Sequence, residues 1–231
     1  MTTHKVMRSA TILLATIFML ACSELSDAQI SVPRGSAILV DGKIDAAEWK
    51  DAVTRDLSGG GTLFLKHDGT DILIGIRGKG AGWAQVYFAG EGAGTDIIVF
   101  HASAAIGRIG YGNSNGIWQP RGDWKWDMRD RGFSPEIETK LNEYWKAHSW
   151  VANNNNMNNR NEVEFRIKPG VGPDIWTTYL LAVEYVTDDT NQFFPAGLSD
   201  ATVKSRLAQG GFAEADLRFD VKKWAKIKLE K

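Results

Sequence analysis

The stretch "YGNSNGIWQPRGDWKWDMRDRGF", Tyr111 to Phe133, sets Trp118, Trp124 and Trp126 among Gly, Asn, Asp and Arg, without the apolar alternation that would bury all three rings. Indoles so placed offer flat apolar faces, and Asn113, Asn115, Arg121 and Asp123 beside them offer hydrogen-bond donors and acceptors. This is the chemistry of stacking on a pyranose, whose C–H face is apolar and whose hydroxyls need polar partners. Trp124 and Trp126 share a face if the chain is extended there. Covering about 100 Å² of apolar surface per ring is worth about 2.5 kcal/mol. Two rings therefore reach the scale of millimolar binding, about −4 kcal/mol. A second reading of the same residues has the rings closing one end of a core and stacking on Arg121, Arg129 or Arg131.

Other residues able to do chemistry are more scattered. The polar run "ANNNNMNNRN", Ala152 to Asn161, could meet sugar hydroxyls, and its plainer reading is a connector from a helix to a strand. His67, His101 and His148 have no metal-like spacing among themselves. His148 with Met128 or Met157 has the ligand types for haem, but there is no Cys-x-x-Cys-His for covalent attachment. Asp188 and Asp189 in "VTDDTNQ" carry oxygen ligands suited to calcium, in a setting where paired Asp also simply make turns. The chain is expected to be non-catalytic: it has no His-Glu-x-x-His and no phosphate-binding Gly-x-x-x-x-Gly-Lys-Ser/Thr. Nothing in the sequence points to paired carboxylates for glycoside hydrolysis.

The elements that must position these residues follow from composition and periodicity. With 27 basic and 28 acidic side chains the formal net charge is −1, which supplies no electrostatic footprint for nucleic acid. The first 21 residues read as an export signal. Lys5 and Arg8 form a positive start, and Ala10 to Ala21 is an apolar run too short for a permanent bilayer span. Cys22, the only cysteine, follows Phe18-Met19-Leu20-Ala21, which resembles a bacterial lipobox and implies acylation at Cys22. The alternative is plain secretion with cleavage after Ala28. Residues 22–34 then form anchor and tether, and residues 35–231 a single domain.

Within that domain, Thr62 to His67 and Ile72 to Arg77 flank Asp68-Gly69-Thr70 and predict a hairpin, with Ile72, Ile74 and Ile76 on one face. Strands are expected around Trp83 to Ala89, Asp96 to Ser103, Glu162 to Lys168 and Thr177 to Thr187, with one or two in the tail. Val163, Phe165 and Ile167 are expected to face a core and Glu162, Glu164 and Arg166 to face water. Ser134, Pro135 and Glu136 open a helix carrying Ile137, Leu141 and Trp145, and a second helix is expected from Ser199 to Gly210. Short strands with Gly-rich turns and one or two inserted helices predict an all-β, antiparallel, jelly-roll-like β-sandwich.

The opening "ILVDGKIDAAEW", Ile38 to Trp49, is distinctive. Asp41-Gly42 is a turn dipeptide. Asp45 is placed to cap a one- or two-turn helix, Glu48 to reach back as in a capping box, and Trp49 to anchor it. Asp-Gly-x-x-Asp-x-x-Glu-Trp-x-x-Ala, followed by "LFLKHDGTDILIGIRG", resembles the start of family 9 carbohydrate-binding modules and their wider relatives. The resemblance covers Ile38 to Arg77. It implies a β-sandwich in which Asp41, Gly42, Asp45, Glu48 and Trp49 are structural, a saccharide clasped between aromatic rings, and structural calcium. The expected function is thus a non-catalytic glycan-binding domain on an envelope lipoprotein, reading a sugar through Trp118, Trp124 and Trp126 with Asp123, Arg121 and Asn115. The alternatives are a haem-b electron-transfer domain of the same fold group and a structural envelope protein without a small ligand.

Overall fold

Asp68 makes the first long hairpin. Its Oδ1 accepts from the backbone N–H of Thr70 and Asp71 at 2.9 and 2.8 Å, and Gly69 takes a φ of 97° that a side chain would resist. The strands it joins are those the periodicity predicts, Thr62–His67 (β3) and Ile72–Arg77 (β4), given the chain order that follows. The computed structural model describes residues 29–90, 96–122, 125–127, 133–154, 161–169, 178–198 and 219–231. The export signal, Cys22, Asp123, Trp124 and the helix expected from Ser199 lie outside the described residues.

Before that hairpin come Ile30–Val32 (β1) and Val53–Asp56 (β2). After it come Gly82–Gly90 (β5), Ile97–Ala102 (β6), Ile106–Ser114 (β7), Ile117–Pro120 (β8) and Lys125–Asp127 (β9). Helix α1, Pro135–His148, precedes Trp150–Asn153 (β10), Glu162–Ile167 (β11), Thr178–Thr187 (β12), Asn191–Phe194 (β13) and Ala225–Leu229 (β14). One sheet runs β1-β14-β12-β5-β6-β7-β8, with β13 on β12 and β9 on β7; the other runs β10-β11-β4-β3-β2. Among the strands of the described residues every pairing is antiparallel except β1 with β14. The architecture is the all-β sandwich expected from the sequence.

Ile72, Ile74 and Ile76 fall on one face as their spacing requires, and they pack with Leu63, Leu65, Val163 and Phe165 against Ala84, Val86, Phe100, Leu181 and Val183 of the larger sheet. The helix begins where Ser134 and Pro135 place it, with Ser134 Oγ accepting from Ile137 N at 3.3 Å. Leu141 is its buried residue, and Ile137 and Trp145 pack beside it.

Three expectations need correction. The face of β11 expected to meet water is covered: Glu162 and Glu164 are 6% and 0% exposed, because residues 38–49 lie across it. Part of the expected tether is instead strand β1, whose Ile30 and Val32 are buried beside β14. Third, the stretch from Tyr111, which lacks apolar alternation in the sequence, is strand for much of its described length. Residues 111–114 complete β7, and Asn115-Gly116, with φ values of 55° and 81°, turns it into β8. Asn-Gly favours that turn because both positions need positive φ.

The outer face of the larger sheet carries a second apolar cluster. Tyr87, Val99, Ile109, Tyr111, Trp118 and Phe193 stand on the strands, and Leu198, Phe219 and Trp224 cover them.

Candidate functional site

The opening stretch is held by two carboxylates of β11. Glu164 Oε2 accepts from Asp41 N and Gly42 N at 3.0 and 2.9 Å, and its Oε1 accepts from Trp49 Nε1 at 2.9 Å. Glu162 accepts from Ile44 N and from Arg77 Nε at 3.1 and 2.7 Å. Gly42 has φ 78°, and Gly75 leaves the space that Trp49 fills, since a Cβ there would lie 3.1 Å from the indole. Trp49 is 3% exposed and is the plug the sequence suggests. The helix expected after Asp45 is only a turn, in which Asp45 Oδ1 accepts from Ala47 N at 2.7 Å. Glu48 makes no capping box; its Oε1 accepts from Leu39 N at 3.0 Å. Beneath the turn, buried Lys66 reaches Asp51 at 2.8 Å and also donates to Glu48 O. These residues direct their hydrogen bonds to the chain itself.

The ring platform expected at Trp118, Trp124 and Trp126 is divided. Trp118 stands opposite Asn113 and Trp126 opposite Gly107, six positions apart along β7, or about 20 Å. Trp118 is 5% exposed and meets Phe219 edge-on at 5.9 Å, so it belongs to the outer core cluster. Arg121 is exposed and paired with Asp96 at 2.7 Å, and Asn115 is an exposed residue whose backbone forms the hairpin turn. The sequence also contains a Gly-x-Ser-x-Gly spacing, Gly112 to Gly116, which the expectation of a non-catalytic chain passed over. The nucleophile elbow of that motif needs a strand, a sharp turn and a helix. Here Ser114 closes a strand that turns directly into another strand.

Trp126 belongs to a different group. Glu184 of β12, Gln85 of β5, His101 of β6 and Gly107 of β7 stand opposite one another in turn, and Trp126 of β9 stands opposite Gly107. This row crosses the outer face of the larger sheet, beside the row of Tyr87 and Val99. Gly107 is required there because a Cβ would meet Trp126 Cε3 at 2.8 Å. The indole lies over that gap and meets His101 edge-on, with centroids 5.2 Å apart and planes at 82°. From the other side Trp83 approaches His101 at 4.8 Å and 51°. Two partly exposed indoles thus flank a buried imidazole. Burial drives His101 down to about 3, so the imidazole is neutral at physiological pH.

At the β12 end of the row the groups are polar. Glu184 Oε2 accepts from Tyr87 OH at 2.8 Å and Gln85 Nε2 at 3.3 Å, and Oε1 accepts from Asn191 Nδ2 at 2.9 Å. The carboxylate is fixed by three donors and is 7% exposed. Carboxylate, amides and indole faces side by side can meet hydroxyls and an apolar C–H face together. Trp83, Gln85, His101 and Glu184 were not singled out from sequence as a site. The signal was present in "WAQVYF", where Gln85 interrupts a strand on the same face as Trp83 and Tyr87, and in "IIVFHA", where His101 follows Ile97 and Val99 on one face.

The remaining candidates are weaker. A groove of about 170 Å³ between residues 38–40 and α1 is bordered by Arg166. That guanidinium is held by Asp71 at 2.7 Å and lies 3.9 Å above the Trp145 ring, so the indole face is already taken. Among the described residues no group of three His, Cys, Asp or Glu is placed to hold a metal ion. His148 is exposed and stacks on Tyr144 at 4.3 Å, while Met128 and Met157 lie outside the described residues.

No protein-family description matches the chain, and no curated protein matches it. Among solved structures it is similar to a family 9 carbohydrate-binding module from Caldicellulosiruptor kristjanssonii. The complex of that module with cellotriose has a TM-score of 0.45, 12% identity, and coverage of 87% of this chain and 93% of that one. The complex with glucose has a TM-score of 0.44 at 12% identity, covering 87% and 95%. A protein from Bacteroides uniformis ATCC 8492 has a TM-score of 0.47 at 12% identity, covering 87% and 99%.

Proposed function

We propose that the chain is a non-catalytic saccharide-binding β-sandwich, tethered to the cell envelope through a lipid on Cys22, and that the saccharide lies against Trp83 and Trp126. The observation that carries this reading is the row on the outer face of the larger sheet, where two partly exposed indoles flank His101 and lead to Glu184 and its amide donors. A pyranose ring laid there covers its C–H face with indole and turns its hydroxyls toward Asn191 and Glu184. The opening motif supports the reading through its resemblance to family 9 modules, in which such residues frame the fold. Each ring offers about 2.5 kcal/mol if it covers about 100 Å². The expected affinity is therefore weak, near the millimolar scale.

A glycan array on the purified domain, followed by titration of intrinsic fluorescence, tests the reading. A sugar stacking on Trp83 and Trp126 shifts the emission, and Trp83→Ala or Trp126→Ala weakens binding by about 1 to 3 kcal/mol while leaving the unfolding midpoint nearly unchanged. If no glycan perturbs emission, or if Trp118→Ala abolishes binding in a folded protein while these two do not, the row is not the site.

A further inference from the structure

The last thirteen residues differ in charge from the rest of the chain. Residues 219–231 hold Lys222, Lys223, Lys226, Lys228 and Lys231 against Asp220 and Glu230, whereas the whole chain has a formal net charge of −1. Strand register separates their faces. Ile227 and Leu229 of β14 are buried, while Lys226 and Lys228 stand opposite Leu180 and Thr178 on the outer face. Lys222, Lys223, Lys228 and Lys231 are exposed. Of the two acids, Asp220 pairs with Lys223 at 3.3 Å and Glu230 accepts from Ser31 Oγ at 2.7 Å.

The chain enters the fold along this same strand. β1 runs parallel to β14, with Ile30 opposite Ile227 and Ser31 opposite Lys228. Cys22 precedes Ile30 by eight residues, which span no more than about 29 Å even when fully extended. A lipid on Cys22 therefore keeps β14 near the bilayer surface.

We propose that the lysine face of β14 and the turn before it rests on anionic phospholipid headgroups. The inference rests on the anchoring part of the reading above. Anionic headgroups attract each nearby lysine by an amount equivalent to roughly five-fold in partition, and the attraction fades beyond a Debye length of about 8 Å. Three lysines thus account for roughly 100-fold.

The test uses the full chain carrying Cys22→Ala, which has no acyl group, sedimented with vesicles. It is expected to pellet with phosphatidylglycerol–phosphatidylethanolamine vesicles at low salt, to be released at high salt, and to stay soluble with phosphatidylcholine vesicles. Adding Lys222→Gln, Lys223→Gln and Lys228→Gln is expected to lower partition about 100-fold with an unchanged melting temperature. Equal pelleting of the two proteins, equal pelleting on the neutral vesicles, or no pelleting at all overturns the proposal. Retention on polygalacturonate without vesicle binding assigns the lysines to an acidic glycan instead and also overturns it. Acyl labelling of the unsubstituted chain separates the two readings. Vesicle binding without label removes the anchor and leaves the lysine surface, whereas label without vesicle binding removes the surface alone.

Discussion

Trp49 is the residue on which the structural reading of the opening motif can be tested quantitatively. Its indole is 3% exposed, sits against Gly75, meets Phe64 edge-on at 6.0 Å, and lies 5.4 Å from Lys66 Nζ. Truncation to alanine removes a buried aromatic ring and is expected to cost about 3 to 5 kcal/mol. It also leaves Glu164 without the indole donor, which places the loss toward the upper end of that range. For a domain near 200 residues each kcal/mol shifts the melting temperature by about 2 to 4 °C. Trp49→Ala should therefore lower Tm by roughly 6 to 20 °C, with a matching fall in the urea midpoint. Trp49→Phe removes the N–H together with the five-membered ring while keeping an aromatic plug, and the expected loss is about 1 to 3 kcal/mol. Combining Trp49→Phe with Glu164→Gln should cost less than the sum of the two single changes, because one interaction joins them. If Trp49→Ala keeps full stability and loses saccharide binding, Trp49 is a ligand contact and the structural account of the motif fails.

Two further outcomes follow from individual contacts. Burial pushes the Glu164 carboxyl up to about 8 against the pull of the Trp49 and Gly42 donors. The folded form thus holds a proton that the unfolded chain releases near 4.5, and this contribution to stability is full below 4.5 and lost as pH rises toward 8. Urea midpoints measured from pH 5 to 8 should fall, and Glu164→Gln should flatten the slope; a rise across that window would refute the assignment. Gly107→Ala places a Cβ 2.8 Å from Trp126 Cε3, so the indole must shift. Saccharide affinity should drop several-fold with a stability cost of about 1 to 3 kcal/mol, and unaltered affinity would remove Trp126 from the site.

The fold was legible where one face of a strand decides its fate. Ile72, Ile74 and Ile76, and Val163, Phe165 and Ile167, alternate because the sandwich interior accepts only apolar groups, and the structure places them there. Ser134 and Pro135 marked the helix start because capping is a local interaction. Glu162 and Glu164 misled for the opposite reason: alternation says which side faces the core, and it carries no information about a segment 115 or more residues away that covers the other side. The grouping of the tryptophans meets the same limit. Trp118, Trp124 and Trp126 are neighbours in sequence, but the Asn115-Gly116 turn separates Trp118 from Trp126 along β7, while strand pairing brings Trp126 to residues from β5 and β6. Register between distant strands created the group, and one sequence does not display that register.

The different covering of the two outer sheet faces supports placing the proposed saccharide row on the larger sheet. On the smaller sheet, residues 38–49 lie across β4 and β11, and Glu162, Glu164 and Lys66 are consumed in holding them. Removing any of these groups exposes or orphans a buried partner, which makes that face a poor place for reversible binding. On the larger sheet, Phe219 and Trp224 cover Tyr87, while further along the strands Trp83, Trp126 and Asn191 stay partly exposed. Glu184 is fixed there by the side-chain donors Tyr87, Gln85 and Asn191. Rigid polar groups beside accessible indoles keep the entropy cost of binding low, which lets a weak, stacking-based interaction be selective.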